Sequence, residues 1–140
     1  MIVLDANVLI AAFDGSDLHH EWAITFLRDT AAEELMISTL TYAEILVAPI
    51  RADRLKEFRK GIDSLGFIID DIASEDAEDI ARLRSETGLK MPDVIVLHTA
   101  LKQDLGHIVH ELWCFAGGSG FKDEVVLVLE VACFVGSEAS

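Results

Sequence analysis

Four short apolar runs mark the first 109 residues, and they limit what the chain can fold into. Ile2-Val3-Leu4, Leu35-Met36-Ile37-Ser38, Phe67-Ile68-Ile69 and Ile108-Val109 each read as a strand. Longer segments with apolar residues at helical spacing separate them. Short strands that alternate with helices predict a parallel sheet in an α/β layer fold. Residues 6–13 predict a short helix. Ser16 is a candidate cap for a second helix to about residue 29, with Leu18, Trp22, Ala23, Phe26 and Leu27 on its apolar side. A third helix is expected from about Tyr42, and Pro49, which lacks a backbone donor, should end it nearby. Leu55, Phe58, Ile62 and Leu65 mark a fourth. Ser74 opens a fifth, with Glu75 and Asp76 in its first turn, Arg82 and Arg84 near its end, and Gly88 as its stop. Pro92 stands at the first position of a sixth. That helix is apolar on nearly every side from Val94 to Leu101 and should be buried.

At 140 residues the expected organisation is a single domain, residues 1–140. The longest apolar stretch, Val125 to Val135, is broken by Glu130 and falls short of the ~20 residues of a membrane helix. No basic segment precedes the first apolar run, so no secretory signal is expected. Cys114 and Cys133 are too few for a disulfide framework. These features point to a reducing, cytoplasmic setting without a membrane. The formal net charge of -14 argues against broad electrostatic capture of nucleic acid. One local exception stands out: Arg51, Arg54, Lys56, Arg59 and Lys60 lie within ten positions. A solvated helix face and a contact for RNA or an acidic partner both explain it.

Three acids stand at the starts of helices. Asp5 closes the first strand and could cap the helix that follows. Thr41-Tyr42-Ala43-Glu44 has the spacing of a capping box. Asp93 lies in a first helical turn, where negative charge is favourable by ~0.3–1 kcal/mol. Each acid alone is explained by capping. In a parallel sheet with helical crossovers, however, helices begin near the C-terminal edge of the strands, so all three are brought towards one edge. Ligand sites of open α/β sheets form there. Carboxylates that share a pocket repel one another unless a cation compensates. Hard oxygen donors suit Mg2+ or Mn2+. Such an ion can hold a phosphate oxygen and activate water.

The segments Ile2-Val3-Leu4-Asp5-Ala6-Asn7, Ile37-Ser38-Thr39-Leu40-Thr41-Tyr42-Ala43-Glu44-Ile45-Leu46 and Leu89-Lys90-Met91-Pro92-Asp93-Val94-Ile95-Val96-Leu97 carry a resemblance. In their order and spacing across residues 1–109 the chain resembles a PIN-domain ribonuclease, most closely the VapC toxins of bacterial toxin–antitoxin pairs. The resemblance implies a three-layer α/β fold, with a central parallel sheet flanked by helices. It implies a metal-dependent endoribonuclease that uses Mg2+, with Mn2+ as a substitute. Asp5, Glu44 and Asp93 would be its catalytic and metal-binding acids, and Asn7 and Thr41 its supporting residues. It also implies an RNA substrate, a cognate antitoxin and a homodimer.

The tail departs from that pattern. Where the family places a fourth acid after the fourth strand, this chain has His110-Glu111-Leu112. Leu112 takes the expected position, and Glu111, one place early, is the candidate replacement. Residues 110–140 hold both cysteines and one basic residue, Lys122, which suggests a divergent or frame-shifted terminus. Val125 to Leu129 should be a buried strand or an oligomer contact. Two functions compete. The retained acids favour an active ribonuclease toxin. The missing fourth acid favours a PIN-like antitoxin-binding module with weak or no nuclease activity. A phosphatase or another metal hydrolase using the same acids comes third, because no nucleophile motif accompanies them. His19 and His20 do not face one way, His98 reads as a core or interface histidine, and Trp22 and Phe26 are expected in the core.

Overall fold

The computed structural model describes residues 1–103. The expected strand at 108–109, Glu111, both cysteines and the apolar run at 125–129 lie outside the described residues.

Among the described residues, three parallel strands form the sheet, in the order β1 (Ile2–Val3), β2 (Leu35–Ser38) and β3 (Ile68–Asp70). Val3 pairs with Met36, and Ser38 with Asp70. Each crossover is helical. α1 (Ala6–Phe13) and α2 (His20–Asp29) link β1 to β2, and α3 (Thr39–Arg51) and α4 (Leu55–Leu65) link β2 to β3. A 3-10 turn at Ser74–Asp76, α5 (Ala77–Thr87) and α6 (Met91–Lys102) follow. The architecture is mixed α/β, with a parallel sheet flanked by helices, as the alternation of strands and helices predicts. No helix among the described residues is long and apolar enough to cross a membrane.

The sheet and α6 share one core. Leu4, Leu9, Ile37, Ile45, Ile62, Val96 and Ala100 pack together, with Tyr42, Phe58 and Phe67 against them. Every residue of α6 from Val94 to Ala100 is buried, His98 and Thr99 included, as expected for a helix apolar on nearly every side. A second cluster of Ile80, Val94 and Ile95 seats α5 on α6. Gly66 and Gly88 end α4 and α5 with positive φ, the left-handed stop that glycine takes without strain.

Several boundaries differ from the sequence reading. α2 starts at His20, because Asp14 Oδ1 accepts from both the backbone N–H and the hydroxyl of Ser16 and holds that serine in a turn. Leu18 is therefore left 83% exposed, and Trp22 stacks on Phe26 at the surface instead of entering the core. Ser74 opens only the 3-10 turn, since Asp76 Oδ2 accepts from the Ala73 N–H before α5 begins. Pro49 does not stop α3. The helix runs one further half-turn to Arg51, and the Pro49 carbonyl is used by the Arg54 N–H at 2.9 Å. Met91 precedes Pro92 as the first residue of α6.

Ser38 is the clearest correction. Its hydroxyl accepts from the Thr41 N–H at 3.0 Å and lies 3.0 Å from the Thr41 hydroxyl. It caps α3 straight from the end of β2, so Thr41 is inside the helix and Glu44 makes no capping-box bond. Both Ser38 and Thr41 are buried. Ser38→Ala should cost about 0.5–2 kcal/mol, the usual loss of an N-cap. Chemical denaturation of the two proteins checks it, and equal midpoints would remove the cap from the account.

Candidate active site

β1, β2 and β3 all point their C-terminal ends to the same edge, and two groups of acids stand along it. The first surrounds β3. Lys102 Nζ lies 3.3 Å from Asp70 Oδ1 and 3.1 Å from Asp76 Oδ2. It also donates to the Asp71 carbonyl. The Ala73 N–H and the Lys102 ammonium hold the Asp76 carboxyl below its ordinary range. His98, buried in α6, places Nε2 3.8 Å from Asp76 Oδ1 and leaves Nδ1 without a partner. It is the core histidine its apolar helix predicts. This group is partly neutralised by Lys102, although among the described residues the buried Asp70 Oδ2 has no hydrogen-bond partner.

The second group is not. Asp5, only 4% exposed, caps α1: one oxygen accepts from the Ala6 N–H at 2.7 Å and the other from the Asn7 side chain at 2.9 Å. Burial nonetheless drives its pKa upwards, and the charge of Asp93 adds to the rise. Glu44 is half-buried on α3. Its carboxyl is also raised, first by burial and then by the charges of Asp5 and Asp93. Asp93 stands in the first turn of α6. The three acids are thus close enough for their charges to act on one another. Among the described residues, no cation counts among the influences on Asp5 or Glu44.

The expected supporting residues divide. Asn7 reaches Asp5 directly and orients it. Thr41 faces Ser38 in the buried first turn of α3. Sequence reasoning missed Ser38, although a serine between an apolar strand and a helical run is itself a capping signal. The basic cluster is also split by the fold. Arg51 lies in the last turn of α3, Arg54 is bound to Glu57, and Arg59 donates weakly to the Tyr42 hydroxyl at 3.5 Å. Lys56 and Lys60 are exposed on α4.

Among the described residues, no three His, Cys, Asp or Glu side chains form a ready-made metal cage. The electrostatic coupling of the acids and the absence of a cage describe different ranges. Like charges act on one another well beyond the 2.0–2.1 Å reach of a directly bound Mg2+ ion. An ion that keeps most of its waters needs only one or two direct carboxylates. Three hard oxygen donors fit such an ion better than zinc or copper.

The parallel sheet with helices on its faces and acids at its C-terminal edge is consistent with one class of protein. The chain belongs to the PIN domain family, whose model matches residues 2–111. PIN domains are generally nucleases, and the family supports a hydrolytic nuclease that acts on RNA or other nucleic acid. A comparison with curated proteins gave no match.

Proposed function

We propose that the chain is a metal-dependent endoribonuclease, the VapC-type toxin of a toxin–antitoxin pair. Asp5, Glu44 and Asp93 would be its catalytic acids and hold Mg2+, which Mn2+ can replace. One observation carries this reading: of the two sets of acids on this edge, the set around Asp70 and Asp76 holds Lys102 within 3.3 Å, while among the described residues only other carboxylates act by charge on Asp5 and Glu44. Uncompensated buried carboxylates are costly unless they serve a ligand. The bound ion would polarise a phosphoryl oxygen and lower the pKa of a water. The protein's own residues would position the parts. Asn7 holds the Asp5 carboxylate, the Ser38 cap sets the first turn of α3 and with it Glu44, and the packed α6 carries Asp93. The N-termini of α1, α3 and α6 favour an approaching phosphate. A homodimer and a cognate antitoxin belong to the same proposal, as does a single domain with residues 110–140 as its divergent tail.

The second reading is an antitoxin-binding module with little nuclease activity. The absence of a ready-made cage among the described residues favours it. Purified full-length protein incubated with a pool of structured RNAs separates the two. Cleavage with Mg2+ or Mn2+ and none with EDTA is expected. Undiminished cleavage in EDTA would falsify metal dependence, while intact RNA in both metals would leave the binding module as the better account.

A further inference from the structure

Five of the chain's 11 basic residues fall between Arg51 and Lys60, and the fold sorts them. Arg51 sits in the last turn of α3, where the helix alone favours a cation, as it favours Arg28 in the last turn of α2. Arg54 engages both carboxylate oxygens of Glu57, at 3.1 and 3.0 Å. Lys56, Arg59 and Lys60 remain, all exposed on α4. They stand away from the inner face of that helix, where Ile62 is buried and Phe58 packs against the core.

Local helix physics does not explain these three. Lys56 lies in the first turn of α4, at the positive end of the helix dipole. Lys60 follows one turn later, so two like charges stand about 5–6 Å apart at their Cβ atoms, an arrangement that weakens a helix. Glu57, three residues before Lys60, is the natural partner, but Arg54 occupies both its oxygens. Asp63 acts on Arg59 by charge alone. Among the described residues no hydrogen bond or ion pair ties down Lys56 or Lys60. Arg59 makes one weak bond, to the Tyr42 hydroxyl at 3.5 Å, which leaves most of its N–H donors free. That bond also fixes where the cations lie. Tyr42 is two residues before Glu44, so the cationic face of α4 abuts the helix that carries one of the acids of the candidate site.

A chain with 25 acids to 11 cations has partners to spare, yet it leaves three neighbouring cations on one exposed helix face. Residues that oppose their local rule without a gain nearby mark a site under another demand. The charge of the molecule supplies that demand. At a net charge of -14 the protein as a whole repels RNA, and a local cationic face offsets this where the strand must be held. Lysine binds phosphate as a point charge, and the arginine fork binds it through paired donors. We propose that Lys56, Arg59 and Lys60 form an RNA-docking face on α4 that grips neighbouring backbone phosphates of one strand. The inference rests on the nuclease reading above, which supplies RNA as the polyanion, and it separates the residues that hold the strand from the acids that would cut it.

The test uses the full chain carrying Asp5→Asn, so that a labelled single-stranded RNA stays intact in Mg2+. Affinity is measured across a salt series with and without the pair Lys56→Gln and Lys60→Gln. The pair should weaken binding several-fold at low salt and reduce the log–log salt slope by about 1.4, and adding Arg59→Gln should bring the reduction to about 2. Lys56→Arg with Lys60→Arg should keep both affinity and slope. Arg28→Gln with Arg82→Gln changes the net charge equally and should leave the slope unaltered. Folding does not confuse the result, because the lysine pair loses no bond and sheds a like-charge repulsion, so its melting temperature should be equal or slightly higher. In the otherwise wild-type protein the lysine pair should raise KM more than it lowers kcat, as expected for a binding contact. An unchanged slope, in a protein whose wild type cleaves RNA, overturns the docking face alone. The expected change of slope, in a protein whose wild type never cleaves RNA, supports the docking face and overturns the nuclease reading. Polyglutamate retained by the Asp5→Asn chain and lost with the lysine pair, while RNA affinity stays the same, gives the face to an acidic protein and overturns the RNA assignment.

Discussion

Asp5→Asn is expected to lower RNA cleavage by about 10²–10³-fold, the loss typical of removing one charged or hydrogen-bonding group from a preorganised site. Asp93→Asn should do the same. The fold should survive both changes. Asparagine caps helices as well as aspartate does, so the bond from the Ala6 N–H to residue 5 can be kept. Asp93 has its place in the first turn of α6 and is not the residue that caps it. The decisive measurements are single-turnover cleavage, calorimetric Mg2+ binding and thermal melting on each variant. Unchanged metal affinity in both would remove these residues from the metal site. A collapse of the melting temperature would return them to a structural role.

Glu44→Gln separates function from folding more sharply. A capping box would tolerate glutamine, but Ser38 takes the cap and Glu44 makes no such bond. Cleavage should therefore fall by about 10²-fold. Stability in the absence of metal should move the other way. Burial and the charges of Asp5 and Asp93 raise the Glu44 pKa in the folded protein. A carboxyl with a raised folded pKa favours folding fully below its unfolded pKa, and that contribution is lost as pH rises through the folded value. At neutral pH the ionised Glu44 is thus a cost that glutamine removes. Glu44→Gln should melt higher than wild type at pH 7 in EDTA. The advantage should fade as pH falls towards the ordinary carboxyl range near ~4.3. A variant that melts lower at pH 7, or cleaves like wild type, defeats the assignment of Glu44. Gains in stability at the expense of activity are common where like charges are held together for a ligand.

The sequence disclosed the layers and the stop of α5 because those depend on strong local signals. Apolar runs at 2–4 and 35–38, helical spacing at 55–65, and Gly88 leave little choice. Helix starts were harder to read, because several residues compete for the cap. Thr41 and Ser38 are both good caps three residues apart, and only the end of β2 decides between them. Asp14 claims Ser16 in the same way. Surface and core positions on α2 were hidden for another reason: a helix with aromatic residues on one flank looks amphipathic whether or not a partner covers that flank. The three acids of the candidate site were legible, because crossover topology sends helix starts to one edge. Their lack of a counter-charge was not legible. It depends on Lys102 standing beside Asp70 and Asp76, distant in sequence.

α6 carries a further consequence, one of mechanical stiffness. Residues 94–100 are buried on every side, so this helix is the pillar of the core as well as the support of Asp93. Close-packed interiors transmit displacement instead of absorbing it. A shift of about 1 Å at a reacting group can cost about 10²-fold in rate. The carboxylate at the head of α6 is therefore a gauge of the packing behind it: a void opened far down the helix would register first as lost alignment at the edge of the sheet.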